Sequence, residues 1–563
     1  MDAVYSLTLS GAMAKAGTLV MANYLKETPF DKLVEVFRKR EEWEGAWRCE
    51  FWGKILRGAI LLNQFLQDPE MEKIVDETVE DLLSCQTPDG CISSYPEEMR
   101  LEKWDIWGMK YVLIGLLRYA ETGKRRKEIG KAASRLLLYI EKNMEKAGKN
   151  FPDYGAHGGL PSSSILGAVA GVWRLTGDPH WKSLAEKIIK SGCSRDNHIF
   201  EEVEKGTLPA NIGNGKAYEL TSCFQGLAEY ILAAEDLGEE ILADRDYRKI
   251  VFQYFSSVFE KELMITGTAG LKDSVGEFWN NGAEKQHLSN AGSLGETCIM
   301  TTLLHFADKL LSLAGEMHFE AVEMAEKILY NGLLGAMTPD GRNFTHANPT
   351  PLTGGGCKIP APDQMQLCFG KPFYGNDCCR AQGPEGLAMA YRLAVRPLVR
   401  NEENSSRITG CVINFYEKMR AAFPEAEFSL EGNWPYENKV EIRATSREEF
   451  MLALRIPHYI QKVCLNGEAL SIKKGFLLLQ RKWEKSDLLE ITLDLSLKEI
   501  PLPGDPGFFA IARGPVILAE DSRMENVPGA VIHENWNGHS LVEYSAAGNL
   551  FTKENPIRVI FQK

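Results

Sequence analysis

The sequence predicts an α+β multidomain protein: a ring of helix pairs followed by an all-β sandwich region. Three observations carry this expectation. One amphipathic helix pattern recurs between Tyr111 and Gly238 and closes on glycine each time. Near residue 400 the texture turns to short alternating runs separated by turn residues. The length, 563 residues, also exceeds the roughly 250–300 residues at which a single hydrophobic core stops growing.

The helical pattern is clearest in YVLIGLLRYAETG, ending at Gly123, and in ILGAVAGVWRLTG, ending at Gly177. A third copy runs from Cys223 to Gly238. Glycine after the last apolar turn is a helix C-terminal signal. The closing glycines recur at intervals of 54 and 61 residues, and each interval holds a second helix such as Trp181–Ser191. Helix pairs at this period build either an open solenoid, a protein-binding shape, or a closed toroid. The toroid is favoured here, because aromatic and polar residues crowd the loop ends, as the rim of one central pocket requires. After residue 400, strands are predicted at Arg407–Tyr416, Val440–Ala444, Phe450–Ile456, Phe476–Gln480, Leu488–Leu495 and Phe508–Ala519. Asn466-Gly467 and Pro503-Gly504 supply turns between them, the pattern of a sandwich. The expected division is therefore residues 1–398, helical, and 399–563, β-sandwich. The sandwich is read as a pocket wall or a homodimer surface, both left open.

Composition narrows the function. Hydrophobic residues make up 44% and charged residues 25%, which excludes disordered, collagen-like and coiled-coil chains. A net charge of −13 argues against nucleic acid, whose binding needs clustered cations, and is compatible with a neutral sugar. No apolar run reaches the ~20 residues of a membrane helix, so no membrane partner is expected. The opening residues lack a basic segment followed by an apolar core and cleavage site. A cytoplasmic location is the expectation. The 12 cysteines are scattered, which fits free thiols or metal ligands better than a disulfide framework.

Two cysteine clusters carry the most chemistry. The first is Gly295-Glu296-Thr297-Cys298, followed by a helix with Ile299, Met300, Leu303, Phe306, Ala307 and Leu310 on its apolar face. Glu296 and Cys298, two apart, meet only if they straddle the first helical turn. The second is Asp377-Cys378-Cys379, followed by Gly383-Pro384-Glu385-Gly386-Leu387, where Pro384 reads as an early helical position. Both clusters then sit at helix N-termini, where dipole and free N–H groups lower thiolate pKa values. One carboxylate and three thiolates form a tetrahedral set suited to zinc. The same spacing equally describes buried apolar thiols, and Cys357 and Cys368 compete as ligands. Glu277, next to Phe278 and Trp279, is a general-acid candidate whose pKa desolvation would raise, or a surface-loop residue. Trp104, Asp105, Trp107 and Lys110 open the first repeat helix; an exposed ring beside hydrogen-bonding groups suits a sugar. His157 stands at the equivalent place before the second repeat, and Tyr218 and Glu219 before the third. His346 is a further pocket candidate.

Through these residues the sequence resembles glycoside hydrolase family 127, the β-L-arabinofuranosidase-like group, or the related family 146. The resemblance runs through Phe51-Trp-Gly-Lys54, Gly276-Glu277, Gly295-Glu296-Thr-Cys298, Leu329-Tyr-Asn-Gly332, Asn348-Pro349 and Cys378-Cys379, then Leu454-Arg-Ile-Pro457, Arg481-Lys-Trp483 and Arg513-Gly-Pro515 in the tail. It implies an (α/α)6 barrel followed by β-sandwich regions. It implies zinc on Glu296, Cys298, Cys378 and Cys379, with Cys378 as nucleophile and Glu277 as acid/base of a retaining exo-glycosidase that releases a terminal sugar from small glycans. Glu326 resembles a pocket carboxylate of the family. Three departures fall in the pocket. Cys378-Cys379 continues as Arg-Ala-Gln where the family often has Pro-Pro-Asn. His346 stands where a tyrosine is common. Lys110 and Tyr218 lie near positions where histidines are usual. The competing readings are another toroid enzyme, a sugar epimerase or unsaturated-uronide hydrolase built on a histidine pair or an aspartate, and a non-catalytic carbohydrate-binding protein with structural zinc.

Overall fold

The computed structural model describes residues 5–42, 48–270, 277–287, 294–345, 347–349, 377–402, 405–521, 526–527, 529–549 and 557–563. Six helices follow one another round a ring: Phe51–Leu66, Asp105–Glu121, Leu166–Thr176, Ala217–Leu237, Thr297–Leu313 and Cys378–Ala394. Each packs on the next, and the sixth packs back on the first. The toroid is therefore closed. Outside it stand Pro69–Ser84, Arg126–Ala147, Pro179–Lys190, Tyr247–Lys261 and Phe319–Lys327, with Ala12–Val20 against the sixth inner helix.

Sequence pattern separates the two rings. In Thr297–Leu313 only Lys309 and Ser312 escape full burial, because an inner helix is enclosed by neighbours, the barrel centre and an outer helix. Arg126–Ala147 instead buries one stripe, Ile129, Ala133, Leu136, Leu137, Ile140 and Met144, as a surface helix should. Gly177 and Gly238 end their helices in the left-handed region. Gly226 lets the third and fourth inner helices meet backbone to backbone: a Cβ there would sit 2.7 Å from Gly167 N.

The chain passes from helix to strand between Ala394 and Val395. One seven-stranded sheet contains Met419–Ala422, Ala426–Glu431, Lys439–Ser446 and Leu488–Leu493, and its edge strand is Ser6–Leu9 from the far end of the chain. A four-stranded sheet combines Val395–Glu402, Ser405–Ile413, Glu449–Ile456 and Gly475–Lys482. The run expected as one strand at Phe508–Ala519 is two, Asp505–Arg513 and Val516–Asp521, split by a turn at Gly514 with φ 59°; they belong to a third sheet. A single hydrophobic cluster runs from the barrel into the first two sheets. Polar bonds tie the same seam. Arg455, fully buried, is ion-paired with Glu326 of an outer helix, and Tyr330 donates to Glu417 at 2.9 Å.

Candidate active site

Two inner-helix N-termini bring the sulfurs together. Glu296 is still extended, with φ −109° and ψ 138°, and the fifth inner helix starts at Thr297. The Glu296 backbone is held by a short antiparallel pairing of Leu294–Glu296 with Ala347–Pro349. Glu296 and Cys298 thus straddle the first turn, and the Cys298 thiol donates to Glu296 Oε2 at 3.3 Å. Asp377 caps the sixth inner helix by accepting from Arg380 N at 2.8 Å. That helix begins at Cys378, with Pro384 inside it, whereas the sequence suggested a start near Pro384. The Asp377 cap decides the start, and Pro384 removes only one internal hydrogen bond.

The sulfurs of Cys298, Cys378 and Cys379 all lie within 4.8 Å of one another, and the Cys378 and Cys379 sulfurs are 3.9 Å apart. Cys298 and Cys379 are buried, while Cys378 is partly exposed. Burial pushes the Cys298 thiol well above its ordinary pKa, and Cys378, Cys379 and the Glu296 carboxylate push it further. Four groups that repel one another once ionised are gathered in a dry place, and a dication reverses that repulsion. Three thiolates and one carboxylate are also the donor types of a tetrahedral site. The residues fit a bound metal.

Glu277 approaches from the loop before the fifth inner helix. It sits in the left-handed region, φ 64°. Its carbonyl accepts from Ala217 N at 2.7 Å, and Trp279 N donates to Gly215 O at 2.8 Å. This stitches the loop to the start of the fourth inner helix. Its carboxylate is ion-paired with Lys216, a partner the sequence reading missed. A chain of rings leads from it. Phe278 is 5.9 Å from His157, His157 is 5.7 Å from Trp104, and Trp104 is 5.9 Å from Trp107. Asn214 Nδ2 lies 3.2 Å from His157 Nδ1. Burial pulls the His157 imidazole below its ordinary pKa, with Glu219 opposing, which favours the neutral ring.

Beneath the rings is a buried charge pair. Trp107 Nε1 donates to Glu50, and Glu50 is 3.0 Å from Lys54 Nζ. The ammonium lies among three rings, 5.7 Å from Trp107 and 4.9 Å from both Tyr111 and Tyr218. Burial pulls Lys54 down, but Glu50, Tyr111 and Cys378 outweigh it and hold it above its ordinary pKa. Glu50 rises through burial, against Lys54, with Cys378 adding to the rise. The charge of the partly exposed Cys378 thus acts on both members of the pair. The signal in the sequence was Glu50 four residues before Lys54, at the edge of Phe51-Trp-Gly-Lys54. Lys54→Met should cost about 3–5 kcal/mol in urea unfolding, because Glu50 is left as a buried unpaired charge; Glu50→Gln combined with it should recover most of the loss. Equal losses in the single and double variants would show that the two charges do not compensate each other.

Of the other expected pocket residues, Tyr218 bonds Tyr111 and donates to Gln382 Oε1 at 2.6 Å. These three line a cavity of about 660 Å³ that reaches the C-terminal turns of the inner helices at Arg118, Arg174 and Lys309. Lys110 lines it too, bonded to Ser164 Oγ at 3.1 Å and 3.8 Å from the Trp107 ring. Burial draws its ammonium down to about 7. Glu219 is buried and influences both Lys110 and His157. Asp105 is not brought to the ring cluster as a free carboxylate: its oxygens are taken by Ser93 Oγ at 2.5 Å and Leu101 N at 2.7 Å. Glu326 lies at the sandwich seam, bound by Arg455 and by Tyr459 at 2.6 Å. His346, Cys357 and Cys368 lie outside the described residues.

The closed helical toroid thus carries a carboxylate–thiol cluster at two inner-helix N-termini and the Glu277–Lys216 pair beside the start of a third. The profile of the GH127 β-L-arabinofuranosidase catalytic domain matches residues 10–391, and that of the GH127 middle domain matches residues 410–495. The chain belongs to glycoside hydrolase family 127. It is a glycoside hydrolase, acting on O-glycosyl bonds. It is 22% identical to the non-reducing end β-L-arabinofuranosidase of Bifidobacterium longum over 83% of this chain and 74% of that protein. The GH127 β-L-arabinofuranosidase of Geobacillus stearothermophilus T6 superposes with a TM-score of 0.74 at 18% identity, covering 99% of this chain and all of that one. A second GH127 β-arabinofuranosidase gives 0.70 at 18% identity, covering 99% of this chain and 96% of the other. Among the described residues no helix is long and apolar enough to cross a membrane.

Proposed function

We propose that the chain is a retaining exo-acting β-L-arabinofuranosidase that removes a terminal sugar from small glycans, with Cys378 as nucleophile and Glu277 as acid/base. One observation supports this above the others. Three thiols and a carboxylate from two helix N-termini converge, and of the three sulfurs only Cys378 is partly exposed. Glu296, Cys298, Cys378 and Cys379 would hold a zinc ion, which keeps bound thiols deprotonated at neutral pH.

The residues then divide the reaction as a double displacement. Cys378 Sγ forms a bond to the anomeric carbon as the glycosidic C–O bond breaks, and the Glu277 carboxyl gives its proton to the leaving oxygen. In the second half Glu277 takes a proton from water. The water oxygen bonds the anomeric carbon, the C–S bond breaks and the thiolate returns. Buried Cys298 and Cys379 hold the attacking sulfur in place. The rings of Trp104, His157 and Phe278 offer apolar faces to a sugar. Trapping tests the reading directly. After acid quench during turnover of an activated arabinofuranoside, the peptide bearing Cys378 should carry one anhydro-pentose. Adduct on another residue, or none at a burst-phase time, overturns the assignment. Glu277→Gln should reduce turnover of alkyl glycosides by about 10²–10⁴-fold and of nitrophenyl glycosides far less. Equal losses for both would argue against an acid role.

A further inference from the structure

The lysine just ahead of the fourth inner helix, Lys216, is nearly enclosed, with 3% of its surface exposed. Its Nζ is ion-paired with Glu277 Oε2 and stands 5.1 Å from the centre of the Phe278 ring. The two backbones that carry this pair are bonded on both sides of it. Lys216 bridges Phe278 as in a short sheet, Ala217 N donates to the Glu277 carbonyl, and Lys216 N donates to Asn214 Oδ1 at 3.2 Å. Ammonium and carboxylate therefore share one rigid mount. Among the described residues, the titratable groups near it are His157, packed edge-on against Phe278, and Glu219, whose charge, like that of Lys216, acts on the His157 ring.

We propose that Lys216 is the positioning residue of the Glu277 acid/base: it fixes the direction of the carboxylate and biases it towards the ionised form. This rests on the reading of Glu277 given above. An opposite charge in contact favours the charged form of a carboxyl group, so the pair favours the base half of the cycle. The first half, which needs the Glu277 proton for the leaving oxygen, is then confined to lower pH than a carboxyl group facing only Phe278 would allow. The proton that moves in this scheme is the one on Glu277.

The pH profile of kcat/KM tests this, because its alkaline limb reports the acid of the free enzyme. For methyl β-L-arabinofuranoside, Lys216→Met should move that limb upward by about one unit or more. Lys216→Arg, which keeps the charge, should leave the limb near the wild-type position. With a nitrophenyl leaving group, where protonation matters little, the limb should shift less. A limb unmoved in Lys216→Met, whether activity falls or not, overturns the inference, since a merely packing role lowers activity evenly across pH. Lys216→Gln gives the same readout should Lys216→Met fail to fold. Glu277→Gln separates the two readings. If it spares alkyl and aryl substrates alike, the acid/base assignment itself fails. If it behaves as an acid knockout while the Lys216→Met limb stays put, only the positioning role is lost.

Discussion

Cys378→Ser should lose turnover by about 10⁴-fold or more while melting cooperatively and still binding sugar. Removing a covalent nucleophile abolishes the step that every other group serves, so losses of that order are the rule. The hydroxyl that replaces the thiol fits the space, but it is a far weaker nucleophile at neutral pH. Cys378 is partly exposed at the first position of the sixth inner helix, at the margin of the hydrophobic cluster, and serine is close enough in size to keep the fold while weakening one of the four proposed metal ligands. Cys298→Ser makes the contrast. Cys298 is fully buried and touches Glu296, so its loss should damage stability and metal content as well as turnover. A Cys378→Ser enzyme that keeps more than about a tenth of wild-type kcat/KM on an activated furanoside would remove the nucleophile from the mechanism.

The second large effect should follow metal removal. Purified protein should contain about one zinc per chain, and dialysis against a chelator should lower the melting temperature and expose thiols to a labelling reagent. A site of three thiolates and one carboxylate contributes free energy to folding when it binds its ion, and the mass-action form of that linkage gives about 4 kcal/mol at a thousandfold excess of metal over its dissociation constant. The pH dependence has a fixed sign. Ligands must be deprotonated to bind, so affinity falls as pH falls and metal release should accompany acidification. A metal-free preparation with unchanged melting and full turnover would mean that the thiol cluster is a packing feature. Loss of turnover with unchanged melting would assign the metal to chemistry alone.

The barrel was legible because its signals are local. Gly123, Gly177 and Gly238 close helices whose apolar spacing is readable in a single window, and the repeat turns those windows into a ring. The thiol cluster was legible in its parts. Glu296-x-Cys298 and Cys378-Cys379 lie about 80 residues apart, so only their residue types announced a common purpose. What stayed hidden depends on distant partners. Asp105 read as a sugar-binding group beside an exposed ring and proves to hold a loop through Ser93 and Leu101. Glu326 looked like a pocket carboxylate and faces an arginine from the sandwich, 129 residues away. Lys216 carries no motif of its own, and Glu50 offers only its spacing of four from Lys54. Their meaning comes from Glu277 and Lys54, which fold beside them. The start of the sixth inner helix was displaced for a simpler reason, since a proline within a helix was taken for its beginning.

The sixth inner helix packs against the first and also carries two of the four proposed ligands. A nascent polypeptide stopped before that segment has an unsealed circle of helices and an incomplete donor set. At 5–20 residues per second, the stretch from Cys298 to Cys378 takes roughly 4–16 s to make. Throughout it Cys298 would stand beside Glu296 with no sulfur opposite. Tight ion capture and reactivity at Cys378 would thus arise together, in the last stretch of barrel synthesis, so an aborted translation product would have no means of cleaving glycans.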